Sequence, residues 1–169
     1  MKRFICLIFC PIFVIFLLIG CLRGEKYDPA PLLERSFCAV LSGELCGVPI
    51  DASVEVREGA SEGREFFVRF LSGSLEGIIV RRDSEGIKIS SGGMQERSFY
   101  EGGLSLICEL FCADEYELIR KNTATHTATF SARVRNIEFF MVAGEGGVPQ
   151  HLESNGLFSL DVKGFSLIK

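Results

Sequence analysis

From Arg35 onward apolar and polar side chains alternate with a period of two, the pattern of strands half-buried on one face of a sheet. Phe37, Ala39, Leu41 and Leu45 share one parity, and Ser36, Ser42 and Glu44 take the other. After a turn at Gly47-Val48-Pro49, Ala52, Val54 and Val56 alternate with Ser53, Glu55 and Arg57 until Gly59-Ala60-Ser61-Glu62-Gly63. Phe66, Val68 and Phe70 repeat the pattern against Glu65 and Arg69. Leu75 to Arg82 and Ile87 to Ser90 then read as a hairpin around Asp83-Ser84-Glu85-Gly86, where glycine supplies the backbone freedom of a tight turn. The first half is thus predicted to be a five-stranded meander.

Gly92-Gly93 breaks the period. Met94 to Gly103 reads as loop or a short helix, with Phe99 and Tyr100 apolar enough to be covered. Leu104 to Ala113 carries Leu104, Ile107, Cys108 and Phe111 at helical spacings of three and four, and such an insertion can lie across a sheet as a plug. Strands resume at Tyr116 to Lys121. The next places Ala124, His126, Ala128, Phe130, Ala132 and Val134 on one side and Thr125, Thr127, Thr129, Ser131 and Arg133 on the other. Ile137 to Val142, the turn Gly144-Glu145-Gly146-Gly147, and Pro149 to Ser154 follow. In the last segment Phe158, Leu160 and Val162 share a parity that Phe165 and Leu167 do not, so a bulge is expected at Gly164. The predicted class is α+β, mainly β: a curved antiparallel sheet, an incomplete barrel, packed on a helical insertion.

The first residues belong to another regime. Lys2 and Arg3 precede an apolar run from Phe4 to Ile19, which ends in Leu18-Ile19-Gly20-Cys21. Small residues before the cut and a cysteine after it are the pattern of a bacterial lipoprotein signal. A membrane-spanning helix needs roughly 20 apolar residues, and Pro11 interrupts this shorter run. The expected organisation is a signal peptide over 1–20, a lipidated tether over 21–34 beginning at Cys21, and a domain over 35–169. The tether holds Pro29 and Pro31, and Leu22 to Pro31 reaches at most ~35 Å when extended. The expected location is the extracytoplasmic face of the cell membrane, held by acyl chains such as palmitate.

Removing the signal leaves 149 residues, enough for one core. It also leaves 16 basic against 22 acidic side chains, a net charge of −6. That balance opposes nucleic acid and opposes electrostatic attachment to anionic headgroups, so membrane contact would rest on the anchor. Beyond Cys6, Cys10 and Cys21, the chain keeps Cys38, Cys46, Cys108 and Cys112. Exported thiols can form disulfides, but eight residues of strand would separate Cys38 from Cys46 by ~26 Å. Cys108 and Cys112 share a helix face. A CxxxC pair with no histidine placed beside it is a weak zinc motif, which leaves buried free thiols as the favoured reading and no metal or other cofactor expected.

Candidate chemistry is sparse. His126 sits among alanines, as a hydrogen-bonded core histidine would, and His151 lies beside a turn, where solvent reaches it. No Gly-x-Ser-x-Gly occurs, and Ser105 lies between Leu104 and Leu106 in the predicted helix without a base. Glu55, Glu58, Glu65 and Glu76 fall at solvent-facing or turn positions. Gly144 to Gly147 lacks the Lys-Ser/Thr of a phosphate loop. The expectation is a protein that is not an enzyme.

Lipobox, short tether, meander, helical insertion, further strands and closing strand together resemble the small lipoproteins of Gram-positive anaerobes in the lipoprotein-carrier superfamily, the LolA/LolB type. Local echoes are Leu75-Glu76-Gly77-Ile78, Gly147-Val148-Pro149, His151-Leu152-Glu153 and the Phe158 to Lys169 ending, within a likeness that spans most of residues 35–169. The resemblance implies an incomplete barrel around an apolar cavity that accepts an acyl chain, a lipid or a lipid-modified partner. The residues expected to line it are Phe37, Phe66, Val68, Phe70, Phe130 and Phe158, with Leu106 or Phe111 from the helix; the favoured reading of each is an ordinary core residue. The alternative is a structural or interaction subunit of an envelope complex whose interior is filled.

Overall fold

A computed structural model of the chain describes residues 26–58, 63–92, 94–98, 103–113 and 115–168. The signal segment and Cys21 lie outside these residues. The chain is mainly β: eleven antiparallel strands make one sheet that does not close, in the order β6-β5-β4-β3-β2-β1-β11-β10-β9-β8-β7. The strands are β1 (Phe37–Leu45), β2 (Val48–Glu58), β3 (Arg64–Ser72), β4 (Ile79–Asp83), β5 (Gly86–Ser91), β6 (Met94–Ser98), β7 (Tyr116–Asn122), β8 (Thr127–Val134), β9 (Ile137–Ala143), β10 (Pro149–Ser154) and β11 (Phe158–Leu167). Helix α1 (Ala30–Leu33) precedes them, and α2 (Gly103–Glu109) lies between β6 and β7.

With one exception, strands that are neighbours in the sheet are also neighbours in the chain. The exception joins β1 to β11 from Phe37↔Leu167 to Leu45↔Phe158, and it fuses two meanders, β1–β6 and β7–β11, into one sheet. At Gly43 a Cβ would stand 2.1 Å from the Ser159 carbonyl oxygen, so only glycine allows this pair its close approach. The register slips between Val40↔Gly164 and Leu41↔Val162, leaving Lys163 as the extra residue. That is the expected bulge beside Gly164, and it resets the face between Val162 and Phe165.

The alternation translates directly into burial. Phe37, Ala39, Leu41, Val54, Val56, Val68, Phe70, Val80, Phe139, Met141, Leu152 and Leu160 are each 0–1% exposed and form one core with Ile107, Leu110 and Phe111 from α2 and the turn after it. Helix α2 therefore covers the inner face of the sheet, where it meets β3 and β4.

Several local expectations are corrected. Met94 to Ser98 is a strand paired with β5 from Ile87↔Ser98 to Ser91↔Met94, and neither a loop nor a helix. The turn after β1 is Cys46-Gly47, and Val48-Pro49 already belongs to β2. The stretch before β4 is a single 3-10 turn, Gly73–Leu75. Helix α2 stops at Glu109 instead of reaching Ala113. Segment 26–34, expected in the tether, packs on the domain: Leu33 is 2% exposed, and Gly146 N–H donates to the Lys26 carbonyl at 2.9 Å. Gly147 is required there, because at φ +75° a Cβ would meet the Asp28 carbonyl oxygen at 2.1 Å.

Candidate functional site

The residues expected to line a cavity are all inside. Phe37 is 0% exposed, Val68 0%, Phe70 1%, Phe111 1%, Phe158 4% and Phe66 6%, and these six share the main core. Phe37 meets Phe111 edge-on with ring centres 5.4 Å apart and stacks on Phe165 at 4.9 Å. Such contacts fill space by ring packing and leave none between the rings. Phe130 stands apart, in a small cluster with Ala128 and Ala143. Leu106 is also buried.

The hollows on the described surface are lined in large part by charged and polar residues and touch the expected set only at Val68, Phe111 and Phe158. One of about 680 Å³ is lined by Glu115, Glu117, Ser131, Ala132, Arg133, Arg135 and Glu138. Another of about 340 Å³ is lined by Ser53, Glu55, Arg57, Phe67, Val68, Arg69 and Ile79. A third, of about 240 Å³, lies where α1, the end of α2 and β7 meet.

Two arginine-centred groups hold the helices. The buried Glu109 of α2 receives Arg82 from β4 and Arg135 from the turn between β8 and β9, the latter at 2.6 and 2.8 Å; Arg135 also reaches Ser105 Oγ at 3.1 Å. One carboxylate in the helix thus joins both meanders. Arg64, at the start of β3, donates to the carbonyls of Leu33 and Arg35 and points Nη1 at Cys112 Sγ, 3.6 Å away. Its guanidinium also lies about 6 Å from the ring centres of Phe37 and Phe66. It caps the Leu33 carbonyl at the end of α1, which would otherwise lack a donor.

The histidines hold no catalytic arrangement among the described residues. His126 is exposed and lies in the turn between β7 and β8 at φ 53°, which corrects its expected place on the buried strand face. The cause is Asn122, whose Oδ1 accepts the Ala124 and Thr125 N–H groups and turns the chain before the alternating run begins. His151 Nδ1 is 2.8 Å from Asp161 Oδ1, and Lys163 Nζ is 2.8 Å from Asp161 Oδ2. Lys163 and His151 hold the Asp161 carboxyl below its usual range. Ser42 faces Asp161 across the next strand, away from His151, so the row lacks the hydroxyl–imidazole contact of a nucleophile and its base.

Cys38, Cys46, Cys108 and Cys112 are all free thiols. Burial pushes the Cys108 thiol up to about 12 and raises that of Cys112 as well. Cys46 is exposed in its turn. Iodoacetamide at about pH 8 should therefore modify Cys46 quickly and Cys108 only after denaturation, since the thiolate is the nucleophile. Mass mapping of the alkylated peptides checks this; early labelling of Cys108 would mean that α2 leaves the sheet readily. Among the described residues no group of three His, Cys, Asp or Glu is placed to hold a metal ion.

No family model matches the chain, and no curated protein matches it. Among solved structures it is similar to an uncharacterized conserved protein from Thermus thermophilus, with a TM-score of 0.51 and 15% identity over 80% of each chain. At that identity the likeness concerns the fold alone. It is a likeness to a sheet architecture and carries no activity with it.

Proposed function

We propose that this chain is an exported lipoprotein, anchored through Cys21, that acts by binding a partner and not by catalysis. On this reading it is an incomplete barrel wrapped around α2 with a filled interior, presenting its outer surface in an envelope complex. The observation that carries it is the packing of the inner face: six of the seven expected cavity residues sit in one core, each no more than 6% exposed. The folded part begins by Lys26, so the five residues from Cys21 give the anchor a reach of only ~17 Å, and the domain would rest against the bilayer.

A specific observation favours a second reading, a carrier of an acyl chain or other apolar ligand of the LolA/LolB type. The sheet is left open, and α2 is gripped on its polar side by side chains from both meanders. A displaced α2 would uncover Phe37, Phe70 and Val68 to a ligand.

Cys21→Ser should abolish incorporation of labelled palmitate and release the protein from the membrane fraction; persisting label would refute the anchor. Native mass spectrometry of the protein released without detergent separates the two readings. A bare mass supports the filled module, and a co-purifying lipid supports the carrier.

A further inference from the structure

The hollow of about 240 Å³ between α1, the end of α2 and β7 is lined by Leu33, Glu34, Arg64, Phe111, Cys112 and Tyr116, with Ala30 and Ala113 completing its wall. Two of its polar groups are incompletely satisfied. The Tyr116 hydroxyl is buried, and apart from the Ala113 backbone N–H near its oxygen it has no partner, so its hydrogen lacks an acceptor. The Arg64 guanidinium uses Nη2 on two carbonyls and one Nη1 hydrogen on a thiol, which leaves Nε–H and the second Nη1 hydrogen without acceptors in these bonds. Those acceptors are neutral, and among the described residues no carboxylate lies within ion-pair distance of Arg64. Apart from Glu34 and Cys112, the other walls are apolar.

We propose that this hollow is a binding site for a small monocarboxylate with a short apolar body. The carboxylate would accept from the Arg64 guanidinium and from the Tyr116 hydroxyl, and the body would lie against Leu33, Phe111 and Ala113. Charge-assisted bonds of this kind are the strong ones, and the free donors of a guanidinium match a carboxylate. Glu34 also lines the hollow, and its negative charge disfavours phosphate dianions and dicarboxylates. Size limits it too: the volume is below the ~300 Å³ at the lower end of ligand pockets, so the ligand holds on the order of ten non-hydrogen atoms. The proposal is independent of whether the inner face of the sheet is filled.

The test is calorimetric titration of sodium octanoate into the full chain bearing Cys21→Ser, so that no acyl group of its own competes. Octanoate should bind with one-to-one stoichiometry and slow alkylation of Cys112, which forms part of the wall. Octanol, with the same chain and no charge, should bind at least about tenfold more weakly, and Tyr116→Phe should weaken octanoate by about tenfold, as loss of a bond to a charged group does. Tyr116→Phe removes a hydroxyl that donates to nothing in the fold, so the fold should be kept, and a matching thermal midpoint verifies it. No binding up to the micelle-forming limit, equal binding of octanol, or unchanged affinity in Tyr116→Phe would each overturn the site.

Discussion

Val68→Asp should leave the domain unfolded at room temperature, while Thr127→Asp should fold with nearly unchanged stability. Val68 is 0% exposed in β3, and its cross-strand partners are Val54 of β2 and Val80 of β4, each also 0% exposed. A carboxylate there has only apolar cross-strand partners, so it must either lose its hydration or take up a proton in apolar surroundings. A penalty above about 4 kcal/mol is expected, a large part of the 5–15 kcal/mol that a domain of this kind has in total. Thr127 opens β8 on the outer parity with Thr129 and Ser131 and is half-buried, where water reaches a carboxylate. Circular dichroism and urea titration of the two variants check the assignment of faces. Equal tolerance would mean that the inner face is not the packed one.

That contrast was legible because a strand's faces follow from parity alone: a one-residue shift would expose Val54, Val68 and Val80 together. The bulge near Gly164 is legible in the same way, because the parity changes within one strand. Parity misleads where local hydrogen bonding overrides the period. His126 has the right parity for burial, yet the Asn122 side chain turns the chain just before Thr127, and alternation cannot register such a turn. Strand β6 was missed for the opposite reason, since Met94-Gln95-Glu96-Arg97-Ser98 has no alternation to read and pairs at the edge of the sheet.

The candidate site was less legible than the fold. The buried phenylalanines could be listed from the sequence, but whether they enclose space or fill it depends on how α2 docks. Arg64, Tyr116 and Cys112 come together only because β3, β7 and the end of α2 converge on α1. Arg64 lies 48 residues from Cys112, and no spacing rule spans such a gap. The sequence carries one weak signal: Arg64 and Tyr116 each stand at the first position of a strand, where a long polar side chain can bend over the end of the sheet.

Glu109→Ala should be the most damaging change to a polar group, and its effect should be spread across both halves of the sheet. Glu109 is 8% exposed and accepts from Arg82 and Arg135, which lie 27 and 26 residues away on opposite sides of it in sequence. Removing one partner of a buried ion pair costs about 3–5 kcal/mol, because the charge left behind has lost its hydration as well as its partner. The arginine side chains here are 39% and 28% exposed, so water recovers part of that, and about 2–3 kcal/mol is the better expectation. For a domain of this size the thermal midpoint should fall by roughly 5–10 °C. The distribution is more telling than the size. The pairing of β1 with β11 is backbone and core and does not depend on Glu109, whereas Glu109 joins β4 to the β8–β9 turn. Hydrogen exchange should therefore accelerate in α2, β4, β8 and β9 while β1 and β11 stay protected. A variant in which Arg82→Met and Arg135→Met accompany Glu109→Leu should regain most of the stability, since apolar replacement of a whole buried ionic group is often neutral or better. Exchange that rises equally across all strands, or a triple variant no better than Glu109→Ala, would show that Glu109 supports α2 locally and does not couple the two meanders.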